Sequence, residues 1–222
     1  MYQISADQVV RNEHSTIPFT WIRHEQTSKN ICIMFPGLGY STDRPIFYYA
    51  TSMCLNNNVD VLHINYTFAK NEHFKKLHEA EQERWMYEDV KAVIEEVLRD
   101  THYEQAFLLS KSIGTIPMAM EWTQKNLFPN AFGIWLTPLL KVDTVYHAIM
   151  NTERTSLCVI GDGDHHYIEE KIASLKNNEL VNTVVIPKAD HSLEIAGDIT
   201  ATINAANEVI ACIQEFIIRN KI

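Results

Sequence analysis

The sequence predicts an α/β fold, with a mostly parallel central sheet and helices on both of its faces. Three observations lead there. Short apolar runs recur along the chain, at residues 19–24, 31–35, 59–64, 106–109, 132–136, 157–160 and 181–186. Several are apolar at nearly every position, as expected of strands covered on both sides. Segments with apolar residues at helical spacing lie between them, and strand–helix alternation builds a parallel sheet.

The elements follow in order. The first two runs have no obvious helix before Pro45, which predicts an antiparallel lead-in. The longest helix is expected near residues 79–99, where Met86, Val90, Val93, Ile94 and Val97 form one stripe. The last is expected over residues 200–219, with Ile203, Ala206, Ile210, Ile213 and Ile217 inward and Asp198 or Thr200 as its cap. No repeat, low-complexity tract or Pro/Gly-rich linker interrupts the series, so one domain spanning residues 1–222 is expected.

Composition narrows the function. The 222 residues are 46% hydrophobic and carry a formal charge of −9. An acidic chain repels phosphate backbones, so nucleic acid is excluded as a partner. No apolar run is long enough to span a bilayer. The first residues lack the basic and apolar regions of a signal peptide. Cys32, Cys54, Cys158 and Cys212 are scattered, without zinc spacing. A reduced, cytoplasmic setting is the expectation.

The chemistry centres on Ser110-Lys111-Ser112-Ile113-Gly114, between the apolar run 106–109 and a helix-like segment. Strand, small-x-Ser-x-small, helix is the pattern of a nucleophile elbow. Small flanking residues let the two backbones approach while the central hydroxyl stays exposed. A serine hydroxyl needs a base to take its proton and an acid to orient that base. Such groups gather at the carboxyl ends of strands. Past the run 157–160 stand Asp162 and Asp164 in a glycine-containing turn, and past 181–186 stands His191. Past 31–35 comes Pro36-Gly37-Leu38-Gly39-Tyr40, where glycines let backbone N–H groups face a developing oxyanion. The Leu38 and Ile113 N–H groups are the candidates.

With these motifs in place the chain resembles the α/β-hydrolase family, from Ile31 to the C-terminal helix. The resemblance implies the α/β-hydrolase fold and the order serine, acid, histidine. The family acid commonly stands three residues after a strand-end glycine, which selects Asp164 over Asp162 through Gly161. The chain departs from the family at Ser110, the first elbow position, and at Pro36, where many members carry histidine. Only residues 137–144 lie where members often insert a cap, so no large cap domain is expected. The segment 65–83, with Tyr66, Phe68 and Phe74 and with Trp85 nearby, is expected to cover part of the site.

Other readings are weaker. His165 and His166 lie beside two aspartates, but adjacent ligands suit few sites and no further cluster has ligand spacing, so no metal is expected. Gly37-Leu38-Gly39 begins a dinucleotide fingerprint, yet its third position is Thr42 and Asn65 stands where an acid belongs. Asp190 reads as a loop carboxylate, Lys111 as a solvated lysine, and Pro117 as a lost helical bond without a functional account. Tyr40 and Trp135, beside strand ends, are the aromatics expected to reach the pocket. The expectation is a cofactor-free hydrolase of a small-molecule ester or thioester, with Ser112, Asp164 and His191 as triad. An acyltransferase or peptidase on the same triad, or a non-catalytic binding member of the fold, are the alternatives.

Overall fold

The computed structural model describes residues 1–125 and 127–222. Eight strands form one sheet in the order β1-β2-β4-β3-β5-β6-β7-β8. They are β1 (Tyr2–Asn12), β2 (Ser15–His24), β3 (Asn30–Phe35), β4 (Val59–Ile64), β5 (Gln105–Lys111), β6 (Phe132–Leu136), β7 (Ser156–Gly161) and β8 (Val181–Ile186). The first two pair antiparallel, and β2 joins β4 antiparallel. Every later pairing is parallel, as the strand–helix alternation predicts.

Six helices connect the strands: α1 (Pro45–Asn56), α2 (Glu79–Val97), α3 (Thr115–Gln124), α4 (Asp143–Met150), α5 (Glu169–Lys176) and α6 (Ile199–Asn220). Successive side chains of a strand point to opposite faces, and β3 divides accordingly. Ile31, Ile33 and Phe35 enter the layer under α2 to α5, while Cys32 and Met34 enter the layer under α1 and α6. The two layers explain why β3, β4 and β7 are buried at every position. Between β6 and α4 the chain has room for no cap.

Two elements differ from expectation. Strand β1 is additional. It is an edge strand exposed along most of its length, so it carries no burial pattern that a sequence could display. Helix α6 is rotated from its expected stripe. Ala205, Val209, Ile213, Phe216 and Ile217 are buried, while Ile203 is 62% exposed. Its N-cap is Asp198, which accepts from the Ala201 N–H at 2.8 Å. No helix among the described residues is long and apolar enough to cross a membrane.

Strand β4 buries a titratable group, His63, whose Nε2 lies 2.8 Å from Thr51 Oγ1. Burial, opposed by Asp43, pushes its imidazole down to about 4. Between that value and the ordinary 6.5 the unfolded chain binds the extra proton, so lowering the pH through this window favours unfolding. Urea unfolding is expected to show a stability loss on the order of 2 kcal/mol from this group between pH 6.5 and 4. The variant His63→Gln is expected to show a shallower slope over the same window.

Candidate active site

Strands β3 and β5 are neighbours, with β4 displaced to the far side of β3, so chain order reverses between them. A crevice opens outside strand carboxyl ends at such a switch point. The loops after β3, β5, β7 and β8 converge there.

After β5 the backbone turns abruptly. Lys111 is extended, Ser112 has φ +53°, and residues Ser112–Gly114 form a 3-10 turn leading into α3. A left-handed serine is strained unless its surroundings hold it. Gly114 permits the turn, since a Cβ there would stand 2.1 Å from the Phe35 carbonyl oxygen. Ser110 is wholly buried with its Oγ 3.5 Å from the Ile134 carbonyl oxygen on β6. Its small side chain fits between strands and leaves the elbow intact. Pro117 is the third residue of α3, where an N–H has no partner within the helix, so the ring removes no bond.

The serine stands at the end of a hydrogen-bonded chain. Ser112 Oγ lies 2.7 Å from His191 Nε2, and His191 Nδ1 lies 2.7 Å from Asp164 Oδ2. The remaining Asp164 oxygen accepts from the His166 N–H at 2.8 Å. Burial raises the Asp164 carboxyl, but the bonds from His191 and the His166 N–H, with the charges of His191 and His165, hold it below its ordinary value. The other two aspartates serve elsewhere. Asp162 accepts from the Lys188 N–H, and Asp190 from the N–H groups of Ser192 and Glu194.

Two loops must meet for this chain to form. Gly163 donates its N–H to the Ala189 carbonyl at 3.0 Å, and Asp162 donates to the Ile186 carbonyl at 3.2 Å. At Gly161 the approach is closer still, for a Cβ would stand 2.0 Å from the Ala189 oxygen. The strand-end glycine three residues before Asp164 thus has a packing reason.

The loop after β3 is closed by Gly37 N–H to the Tyr40 carbonyl at 3.0 Å and by the reciprocal bond at 3.3 Å. The Tyr66 hydroxyl donates to the Pro36 carbonyl. Tyr66 stacks on Phe68 and Phe68 on Phe74, with centroids 4.3 and 5.0 Å apart, and the two phenylalanines are buried in the core. The segment 65–83 therefore braces the Pro36 loop from the core side. The Leu38 N–H meets no acceptor among the described residues, and Ile113 lies in the first turn after β5, where an N–H lacks an intrahelical partner.

Two expectations need correction. Trp135 does not reach the crevice; it is wholly buried, edge-on to Trp122 at 5.6 Å, because its position on β6 faces the α2–α5 layer. Lys111 is not solvated. It is 1% exposed, since the end of β5 lies under the converging loops. Tyr40 does stand beside the site, for its Cβ and that of Ser112 flank Gly37 closely.

Three imidazoles gather at the crevice, with His165 and His166 ring centroids 4.8 and 5.4 Å from that of His191. Burial, then the neighbouring His165 and His191, pushes His166 down to about 4, so it is neutral at pH 7. Donor atoms of Asp164, His165 and His191 lie within 4.8 Å of one another. A metal ion there would have to break the Asp164–His191 bond, so this donor set does not suit a resident metal.

Comparison with known proteins gives the family and the fold. A family model described as an alpha/beta hydrolase domain matches residues 28–217. The chain belongs to the α/β-hydrolase family. No curated protein sequence matches it. Among solved structures, a cold-adapted esterase from an Arctic intertidal metagenomic library is similar at TM-score 0.73 and 10% identity, covering 100% of this chain and 95% of its own. An α/β serine hydrolase without lid from Xanthomonas campestris has TM-score 0.71 and 12% identity, covering 99% and 95%. A dienelactone hydrolase from Anabaena variabilis has TM-score 0.71 and 16% identity, covering 100% and 99%. At such identities the likeness is one of fold.

The Gly161→Ala variant tests the loop contact. Overpacking of this kind costs about 1–3 kcal/mol, and the thermal midpoint is expected to fall by roughly 5 °C. An unchanged midpoint in a thermal melt would contradict the close approach.

Proposed function

We propose that this α/β-hydrolase cleaves a carboxylic ester or thioester of a small molecule through an acyl-enzyme on Ser112. The observation that carries the reading is the chain from Ser112 Oγ through both nitrogens of His191 to the sealed Asp164 carboxylate. In the mechanism, His191 Nε2 takes the Ser112 proton as Oγ attacks the carbonyl carbon. Asp164 accepts the Nδ1–H bond and stabilises the imidazolium. The Leu38 and Ile113 N–H groups receive the oxyanion. The imidazolium then protonates the leaving group, and water activated by His191 releases the acid. Each proton is accounted for by these side chains, with no cofactor required.

The surroundings suit an uncharged acyl group. Side-chain exposure of 25% at His191 fits an open, lid-poor site. Beside it runs a groove of about 700 Å³ between α1 and α6, lined by Ile46, Tyr49, Ile203 and Ile210, with Tyr40 at its edge. Its apolar side chains suit an acyl chain better than an anion, as does the overall charge of −9. Esterase, serine hydrolase and dienelactone hydrolase among the structural neighbours agree with hydrolysis of this kind.

Labelling by a fluorophosphonate probe and hydrolysis of p-nitrophenyl esters of graded chain length test the reading. The wild type is expected to be labelled and Ser112→Ala not. A wild type that resists the probe and cleaves no ester would sink the proposal. For the acid, Asp164→Asn is expected to lower kcat by about 10³-fold or more, since the wrong imidazole tautomer results. Asp162→Asn is expected to cost at least about 100-fold less than that. Equal effects of the two would overturn the choice of Asp164.

A further inference from the structure

The residue before Ser112 is a lysine that no step above uses. Its ammonium is buried at the end of β5, where it donates to Thr137 Oγ1 at 2.8 Å and to the His191 carbonyl oxygen at 2.6 Å. Its Nζ also lies over the Tyr40 ring, 4.8 Å from the centroid. A lysine ammonium has three donors and no acceptor; two of them meet oxygens, and the Tyr40 ring lies within cation–π range.

These partners come from different segments. Lys111 belongs to the nucleophile strand, Thr137 follows β6, His191 lies in the loop after β8, and Tyr40 closes the loop after β3. One cation therefore spans four of the segments that shape the crevice. Thr137 is itself unusual: wholly buried, β-branched, and at φ +40°. A β-branched residue in the left-handed region is strained and persists only where its surroundings over-determine it. Its N–H bond to the Val159 carbonyl at 2.7 Å holds the backbone, and its hydroxyl meets the lysine.

Stability does not account for such an arrangement. A buried ammonium loses its hydration, and replacing buried ionic groups by apolar ones of similar volume is often neutral or stabilising. Burial pushes Lys111 down to about 8, against the pull of Asp164, Asp190 and Glu194. The group is thus expensive to charge and still mostly charged at pH 7. What it supplies is geometry: it fixes the backbone carbonyl of the residue whose ring must stay 2.7 Å from Ser112 Oγ.

Resting on the acyl-transfer reading of Ser112, we infer that Lys111 is a positioning residue. It ties the His191 loop to the ends of β5 and β6, with Thr137 as its coupled partner. It touches no reacting atom and acts through His191. A displacement of the base by about 1 Å costs on the order of 100-fold in rate.

The test is Lys111→Met, which keeps the length of the stem and removes the ammonium. For p-nitrophenyl butyrate, assayed below the variant's thermal midpoint, kcat is expected to fall roughly 10- to 100-fold with KM within about threefold, while that midpoint falls by about 2–8 °C as the Thr137 and His191 oxygens lose their donor. Thr137→Val, which keeps the branch and removes the hydroxyl, is expected to lower kcat by about 3- to 10-fold, and the double variant to fall short of the product of the two losses. Unchanged kcat in Lys111→Met overturns the inference. So does a loss of kcat that merely follows a loss of thermal midpoint while Thr137→Val matches the wild type. Fluorophosphonate labelling of the wild type at Ser112 is read first. Its absence would remove the acyl-transfer reading itself, whereas labelling with unchanged kcat in Lys111→Met removes only the role of the lysine.

Discussion

The approach of Gly161 to the Ala189 carbonyl is the contact on which the site depends. Strands β7 and β8 run side by side, but pairing alone does not bring the side chains after them together. The loops must also pack, and at Gly161 they pack so closely that a Cβ has no room. Two N–H bonds, from Asp162 and Gly163, then fix the register of one loop on the other. Only in that register does Asp164 Oδ2 stand 2.7 Å from His191 Nδ1. A carboxylate with no exposed side-chain surface would be costly without such partners. The contact therefore settles two questions together: where the histidine ring is aimed, and how a buried aspartate stays ionised.

Strain gathers in the same region. Of the non-glycine residues with positive φ, Ser112 and Thr137 directly follow β5 and β6, while Lys188 and Leu193 flank the His191 loop. Below them the sheet is sealed between two apolar layers, one under α1 and α6 and one under α2 to α5. A close-packed interior yields little, so unfavourable torsions in the loops above it do not relax by shifting the strands. The fold's stability and its strained crevice are thus separated in space, and the first holds the second.

How far this was legible from sequence follows from the same division. Strands buried on both faces, such as β3 and β7, announce themselves as apolar runs, and the turn at Ser112, the loop at Leu38 and the turn at Asp164 all follow such runs. Ser112, Asp164 and His191, which hydrogen-bond in series, stand out in the sequence because each comes just after a strand. Strand β1 does not, since an exposed edge strand imposes no pattern on its side chains. The α6 stripe was misplaced because isoleucines at 203 and 210 face the groove beside α1 instead of the sheet. Proximity to a strand end points Trp135 toward the pocket. Alternation along β6 decides instead, and it turns the indole toward Trp122. A charged residue beside an exposed serine, as Lys111 is, reads as solvated, and only the meeting of four distant segments buries it.

Charge ties these features together. At neutral pH the crevice holds one sealed carboxylate, Asp164, and one buried ammonium, Lys111, with His166 kept uncharged. Asp190 and Glu194 add further negative charge around the ammonium. On the proposed mechanism, proton transfer to His191 and attack by Ser112 create an imidazolium and an oxyanion as a second opposed pair. Separating charge in a low-dielectric site is favourable only where fixed partners already face each new charge. In that mechanism Asp164 faces the imidazolium, and the N–H groups of Leu38 and Ile113 are the proposed partners of the oxyanion. Lys111 is bound to neither new charge, since its donors go to Thr137, the His191 carbonyl and the Tyr40 face. An ammonium aimed at the substrate would stabilise bound anions as well as the transition state. Turned inward, it meets the His191 carbonyl and Thr137 and lies within the field of the buried Asp164.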